Sequence, residues 1–321
     1  MRAMQLTSLG QPLELRDIDV PTPAAGEVLL RIHTCGLNFG DILIVKGTYQ
    51  EKPALPATVG MEMCGTVEAV GEGVTHLAVG QRVAAYSGFG GLAEYAALPA
   101  NICVPIPDEM SAKDAAAFLI AYGTSHVGLD YKAGLKPGER LLVLGASGGV
   151  GLTAIELGKL MGAEVIAVAR GAAKLDVAKA AGADHVLDSD TCDLRTDVKA
   201  LGGADVVYDP VGGDLFNAAL RACNPEARLL PLGFASGTVP QIPANILLVK
   251  NLTVIGYYWG GYMRVNPKVL TDSFEVLFGW YAEGKLKPHV SHVLPLAEAN
   301  EGLELLRSRK ATGKVVIDVE A

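Results

Sequence analysis

The stretch with the most specific chemistry is LLVLGASGGVG, residues 141–151. An apolar run ends in a glycine cluster, and an apolar-periodic segment follows. The pattern predicts a strand, a tight loop and the start of a helix. A dinucleotide pyrophosphate needs that arrangement, because it must approach backbone N–H groups closely at a helix N-terminus. Side chains at Gly148, Gly149 and Gly151 would block that approach or the helix–strand packing. Ser147 and Val150 belong to the same loop, and Ala146 stands where the usual fingerprint has its first glycine.

The following strand, residues 164–169, ends VIAVARGAAK. An enzyme selective for NAD carries an acid here for the ribose hydroxyls. This chain has Ala169, then Arg170 and Lys174. A guanidinium can grip a 2′-phosphate with two charge-assisted hydrogen bonds, and a second cation adds to the field. The prediction is NADPH rather than NADH.

The elements around these residues alternate. Arg140 to Leu144, Glu164 to Ala169, Asp184 to Leu187, Ala204 to Asp209 and Arg228 to Leu232 read as buried strands. Helices are expected from Leu152 to Met161, from Ala172 to Ala181 and from Asp214 onward. A last strand is expected from Leu252 to Tyr258. This is a doubly wound parallel α/β sheet. The first third differs, with short β-like runs between glycine-rich turns, as in a small β-rich domain. An Ala-rich helix starting at Ser111 joins the two. The segment after Gly261 is too short for a domain of its own and is expected to return to the first. The predicted domains are therefore 1–121 with 262–321, and 122–261.

Bulk properties narrow the class. The 321 residues are half hydrophobic and 19% charged, with net charge −8. That acidity argues against nucleic acid and anionic membrane as partners. The longest apolar runs are of strand length, which predicts no membrane span. The five cysteines, Cys35, Cys64, Cys103, Cys192 and Cys223, form no CxxC pair, so a reducing compartment such as the cytoplasm is expected. His33, Cys35, Glu62, Cys64 and His76 have no familiar ligand spacing and read as packed or surface residues.

Six ordered segments carry a resemblance over nearly the whole chain. They are CGLNFGDILIVKGTY (35–49), PATVGMEMCGTVEAVG (56–71), AYGTSHVGL (121–129), LKPGERLLVLGASGGVG (135–151), YDPVGGDLF (208–216) and TGKVVID (312–318). The chain resembles the quinone oxidoreductase branch of the medium-chain dehydrogenase/reductase superfamily. That resemblance implies a GroES-like β-rich catalytic domain beside a Rossmann domain. Zinc alcohol dehydrogenases of the superfamily ligate a catalytic zinc through a cysteine and a histidine. At the matching positions stand Asn38 and Met61, poor replacements for thiolate and imidazole. The cysteine-rich loop of the structural zinc is matched by YSGFGGLAEYA, residues 86–96, without cysteine. No metal is expected.

Without a Lewis acid, hydride needs an acceptor that is already electrophilic, such as a quinone or an activated alkene. Asn38 could hydrogen-bond the acceptor or the cofactor ribose. Asp41 could act nearby, but pinning the loop or capping a helix suits it better. Tyr49 could donate a proton, and enoyl-thioester reductases of the superfamily carry a catalytic tyrosine at the corresponding place. The resemblance further implies cofactor contacts at Thr124, Val211, Gly233, Phe234 and Lys314. Lys314 could equally be a solvated turn lysine. Tyr257, Tyr258, Trp259 and Tyr262 line either a flat acceptor site or a packing boundary. The resemblance implies a homodimer paired through the edge strand from Leu252 to Tyr258. Three functions stay open: quinone reductase, enone or enoyl-thioester reductase, and a non-catalytic NADPH-binding protein of the crystallin type.

Overall fold

A computed structural model describes all residues, Met1 to Ala321. The chain divides into two compact units, Met1–Ile120 with Phe278–Ala321, and Ala121–Leu277. The second crossing lies inside the helix Pro267–Ala282, downstream of Gly261. No helix is long and apolar enough to cross a membrane.

The first unit is built on a seven-stranded sheet. Its long strand Glu27–Leu37 buries Val28, Leu30 and Ile32 on one face by simple alternation. Glu62–Val70 pairs antiparallel on one side of it, with Gly36 opposite Glu62. Lys314–Asp318 pairs antiparallel on the other side, with Val315 opposite Leu37. Lys314 and Glu62, 252 residues apart in the chain, therefore flank one end of this strand, and Asn38 follows directly. The helix Phe39–Lys46 starts there, capped by Asp41, whose Oδ2 accepts the Asn38 N–H at 2.8 Å.

The second unit holds a six-stranded parallel sheet. In spatial order its strands are His185–Asp188, Glu164–Ala169, Arg140–Leu144, Ala204–Asp209, Cys223–Pro231 and Thr253–Val254. Numbered along the chain this is the order 3-2-1-4-5-6 of a dinucleotide-binding sheet, in which the order of the strands, all parallel, switches between the first and the fourth. Arg140–Leu144 is almost wholly buried, as a strand covered on both faces must be.

Three expectations are corrected. The Ala-rich segment is not one helix. Ser111 caps it, accepting the Asp114 N–H, but it breaks into Ala112–Ala115, Leu119–His126 and a wider π turn, Val127–Lys132. Close packing accompanies the first break: a Cβ on Gly36 would stand 1.7 Å from Ala116 O, so strand and backbone already touch. The edge strand covers only Thr253–Val254. Beyond Ile255 the chain leaves the sheet, and Tyr257 turns inward to donate its hydroxyl to Thr124 O at 3.1 Å. Two helices, Leu194–Ala200 and Ala244–Lys250, lie where the sequence suggested none.

Candidate active site

In the second unit residues 145–148 connect the first strand to the helix Gly149–Leu160. Gly145 has φ 61°, in the left-handed region that favours glycine, and a Cβ there would meet Val211 Cγ2 at 2.9 Å. A Cβ on Gly151 would meet Gly145 O at 2.3 Å and Ala146 Cα at 2.8 Å. Gly151 is thus required for the loop to fold back on its helix. Gly148 differs: its extended backbone (φ −82°, ψ 173°) suits any residue, and only Gly145 O lies near, 3.4 Å from an added Cβ. Gly148 is the helix N-cap and supplies no side chain, so the first-turn N–H groups remain open to an anion. Ser147 is buried within the loop.

The neighbouring strand ends gather the other second-unit candidates. Asp209 ends the fourth strand, and its Oδ1 accepts the N–H groups of Val211 at 2.7 Å and Gly212 at 2.9 Å. Burial raises the Asp209 carboxyl, against those two N–H groups. Its turn fixes Val211 beside Gly145. Ser236 N–H and Ala235 N–H bond back to Val211 O and Pro210 O, which brings Gly233 and Phe234 alongside. Ser125 Oγ donates to Val150 O at 3.1 Å and lies 2.8 Å from Tyr208 OH and 2.7 Å from Thr153 Oγ1. These three hydroxyls tie the residue after Thr124 to the glycine loop and the fourth strand.

Arg170 follows the second strand directly and is exposed. Its Nε lies 3.0 Å from Asp190 Oδ1. Lys174 sits in the first turn of the next helix, Ala172–Ala180. Of the aromatic cluster, Trp259 is buried against Phe274, with ring centroids 6.1 Å apart. Tyr262 contacts Tyr257 and Tyr131 at 6.1 and 6.0 Å.

In the first unit, Asn38, Glu62 and Lys314 form one network. Lys314 Nζ lies 2.9 Å from Glu62 Oε2 and 2.7 Å from Asn38 Oδ1. Asn38 Nδ2 donates to Gly36 O at 3.1 Å and to Glu62 Oε2 at 3.2 Å. The second carboxylate oxygen, Glu62 Oε1, accepts the Ile120 N–H at 2.9 Å. The Glu62 and Lys314 side chains are 0% and 7% exposed, so Lys314 is not a solvated turn lysine. Its ammonium commits two of three donors inside the unit. Both N–H donors of the Asn38 amide are likewise engaged, leaving only acceptor capacity on Oδ1. Asn38 can therefore accept from a hydroxyl but cannot donate to a substrate oxygen. The amide orientation follows from the network, since ammonium requires the oxygen and carboxylate the nitrogen.

Tyr49 and Met61 complete this half. A Cβ on Gly40, in the helix after Asn38, would meet Met61 Sδ at 2.6 Å and Tyr49 Cε2 at 3.4 Å. Thioether and phenol ring thus lie against the same helical turn. Sequence reasoning named Glu62 only in a metal cluster. The structure gives it Lys314 as partner, while His33 bonds Glu320 Oε1 and Thr66 Oγ1. No group of three or more His, Cys, Asp or Glu residues is arranged to hold a metal ion.

Asp41 is wholly buried beneath the network. Burial pushes its carboxyl up to about 7, against the Asn38 N–H and the Lys314 charge, which favour the carboxylate. The folded value lies above the unfolded one of about 4. The contribution to stability is therefore complete below about pH 4 and is lost as pH rises to about 7. Asp41→Asn is expected to remove this slope from urea-unfolding measurements between those limits. A slope equal to that of the parent chain would contradict the assignment.

Comparison with known proteins fits this geometry. The family described as alcohol dehydrogenase GroES-like domain matches residues 24–108, and zinc-binding dehydrogenase matches residues 149–274. The quinone oxidoreductase-like protein 2 homolog of Nematostella vectensis is 40% identical, over 99% of this chain and 89% of that protein. The Escherichia coli quinone oxidoreductase complexed with NADPH superposes with TM-score 0.92 at 30% identity, covering 99% of this chain and 100% of that one. The quinone oxidoreductase of Thermus thermophilus, also solved with NADPH, gives TM-score 0.87 at 33% identity with the same coverage.

Proposed function

The chain belongs to the quinone oxidoreductase family of the medium-chain dehydrogenase/reductase superfamily, and from that premise we propose that it reduces quinones with NADPH and without zinc. One observation carries the zinc-independent part. The positions that would ligate catalytic zinc hold an amide and a thioether, and the Lys314 ammonium lies 2.7 Å from that amide. A fixed cation and two weak donors do not suit a zinc ion.

The glycine loop suits a dinucleotide: Gly148 leaves the helix N-terminus open, and Gly151 lets the loop close on itself. When bound, NADPH supplies the hydride. The N–H groups of Gly149 and Val150 receive its pyrophosphate, while Gly148, whose own N–H is held by Gly145 O at 3.0 Å, and Ser147 shape the loop. Arg170 and Lys174 receive its 2′-phosphate. Val211, Gly233, Phe234 and Thr124 line its path along the strand ends, and Asn38 accepts from a ribose hydroxyl. Lys314 holds Asn38 in place and offers its remaining donor to the cofactor.

A quinone that takes a hydride is left with an anionic oxygen and must gain a proton. Tyr49 donates it from its phenol and is reprotonated from water. Tyr49→Phe is expected to lower kcat about tenfold with little change in NADPH affinity. That is less than the roughly 100-fold typical of a general acid, because water can protonate the same anion. Unchanged kcat would remove Tyr49 from this role.

The acceptor is tested by following NADPH oxidation with a quinone, an enone and an enoyl thioester. Turnover fastest with the quinone supports the reading. Preference for the enone or thioester moves the function to alkene reduction, and no turnover with any supports a non-catalytic, crystallin-type role.

We also propose a homodimer formed at the sheet edge carrying Thr253–Val254. Leu248 and Val249, 77% and 72% exposed in the preceding helix, support it as apolar surface in need of cover. A cytoplasmic address is supported by five free thiols, four of them buried.

A further inference from the structure

We propose that Asp190 lowers the selectivity for NADPH over NADH by competing with the 2′-phosphate for Arg170. The inference rests on the NADPH reading above and adds a residue to it.

Asp190 lies in the turn after the third strand, His185–Asp188. Parallel pairing of this strand with Glu164–Ala169 sets Ala169 opposite Asp188, which brings the turn to Arg170. Arg170 Nε and Asp190 Oδ1 are 3.0 Å apart. The turn is held by Asp188, whose Oδ1 accepts the N–H groups of Gly171 and Asp190, each at 3.1 Å. Those N–H groups, and more weakly the charge of Arg170, keep the Asp188 carboxyl below its ordinary range. Arg170 therefore faces two carboxylates before any ligand arrives. A 2′-phosphate, close to dianionic at neutral pH, must displace Asp190 from the guanidinium and approach Asp188. The 2′-hydroxyl of NADH meets neither demand. Asp190 thus weakens NADPH and leaves NADH untouched, holding the preference below what Arg170 alone would give.

Arg170 and Asp190 are 62% and 53% exposed, so the pair is screened and its effect modest. Asp190→Asn keeps the side-chain shape and an acceptor for Arg170 but removes the charge.

The test is calorimetric titration of NADPH and NADH into the full chain and into two variants, Asp190→Asn and Arg170→Ala, at low and high salt. Asp190→Asn is expected to bind NADPH about two- to fivefold more tightly, more so at low salt, with NADH unchanged. Arg170→Ala is expected to weaken NADPH and not NADH. If Arg170→Ala weakens NADPH selectively while Asp190→Asn binds it no better than the parent, the role of Asp190 is overturned and the phosphate site stands. If Arg170→Ala leaves the ratio of the two affinities unchanged, the phosphate site itself is overturned, and Asp190 with it.

Discussion

Gly148→Ala binds NADPH about a hundredfold more weakly than the parent chain yet melts at the same temperature or slightly higher. The two halves of this expected result have separate causes. The Gly148 backbone is extended, and an added Cβ has a single neighbour at 3.4 Å, so the fold accepts the methyl. The unfolded chain loses freedom, which stabilises by a few tenths to about 1 kcal/mol. The same methyl stands in the loop where the pyrophosphate must reach backbone N–H groups. Losing or lengthening one or two charge-assisted hydrogen bonds, each about 1.5–3 kcal/mol, gives the hundredfold loss. Gly151→Ala should fail differently. Its Cβ would press on backbone atoms at 2.3 and 2.8 Å, and backbone cannot swing aside, so stability itself falls. Titration and melting curves on both variants separate the two roles. Equal NADPH affinity in Gly148→Ala and the parent would exclude the loop as the phosphate site.

Lys314→Met is expected to destabilise the first unit by about 3–5 kcal/mol. Glu62 is wholly buried, and removing its cation leaves an uncompensated charge away from water. Asn38 Oδ1 loses its donor as well. In a melting experiment this corresponds to a fall of roughly 10 °C. Making the buried acid neutral as well should restore most of the loss. The double variant Glu62→Gln with Lys314→Met keeps an amide oxygen for the Ile120 N–H and has no unpaired charge. A single variant that melts with the parent, or a double variant no better than the single, would contradict the description of this network.

The parts legible in the sequence were those whose cause is local. A strand, a glycine loop and a helix are contiguous at residues 140–160, and Arg170 follows its strand directly, so spacing alone located them. The Glu62–Lys314 pair was illegible because its members lie 252 residues apart and meet only through two pairings of one strand. Lys314 in a short returning segment read as a cofactor contact or a solvated turn lysine, not as the buried partner of Glu62. Asp190 was missed for the same reason, since parallel pairing brings its turn to Arg170. The expected strand from Leu252 to Tyr258 rested on aromatic and β-branched composition. Composition does not reveal that Tyr257 turns inward to Thr124. The Ala-rich run is rich in helix formers as far as Tyr122, yet it breaks at residues 116–118, where Ala116 O lies against Gly36, a tertiary contact that propensity does not carry.

The proposed reaction is hydride transfer from NADPH to an activated acceptor without zinc. Its most direct test is the rate of NADPH oxidation with 1,4-naphthoquinone, measured before and after exhaustive chelation, with the zinc content of the protein determined alongside. Equal rates at negligible zinc content are expected. A rate lost on chelation and restored by zinc alone would contradict it.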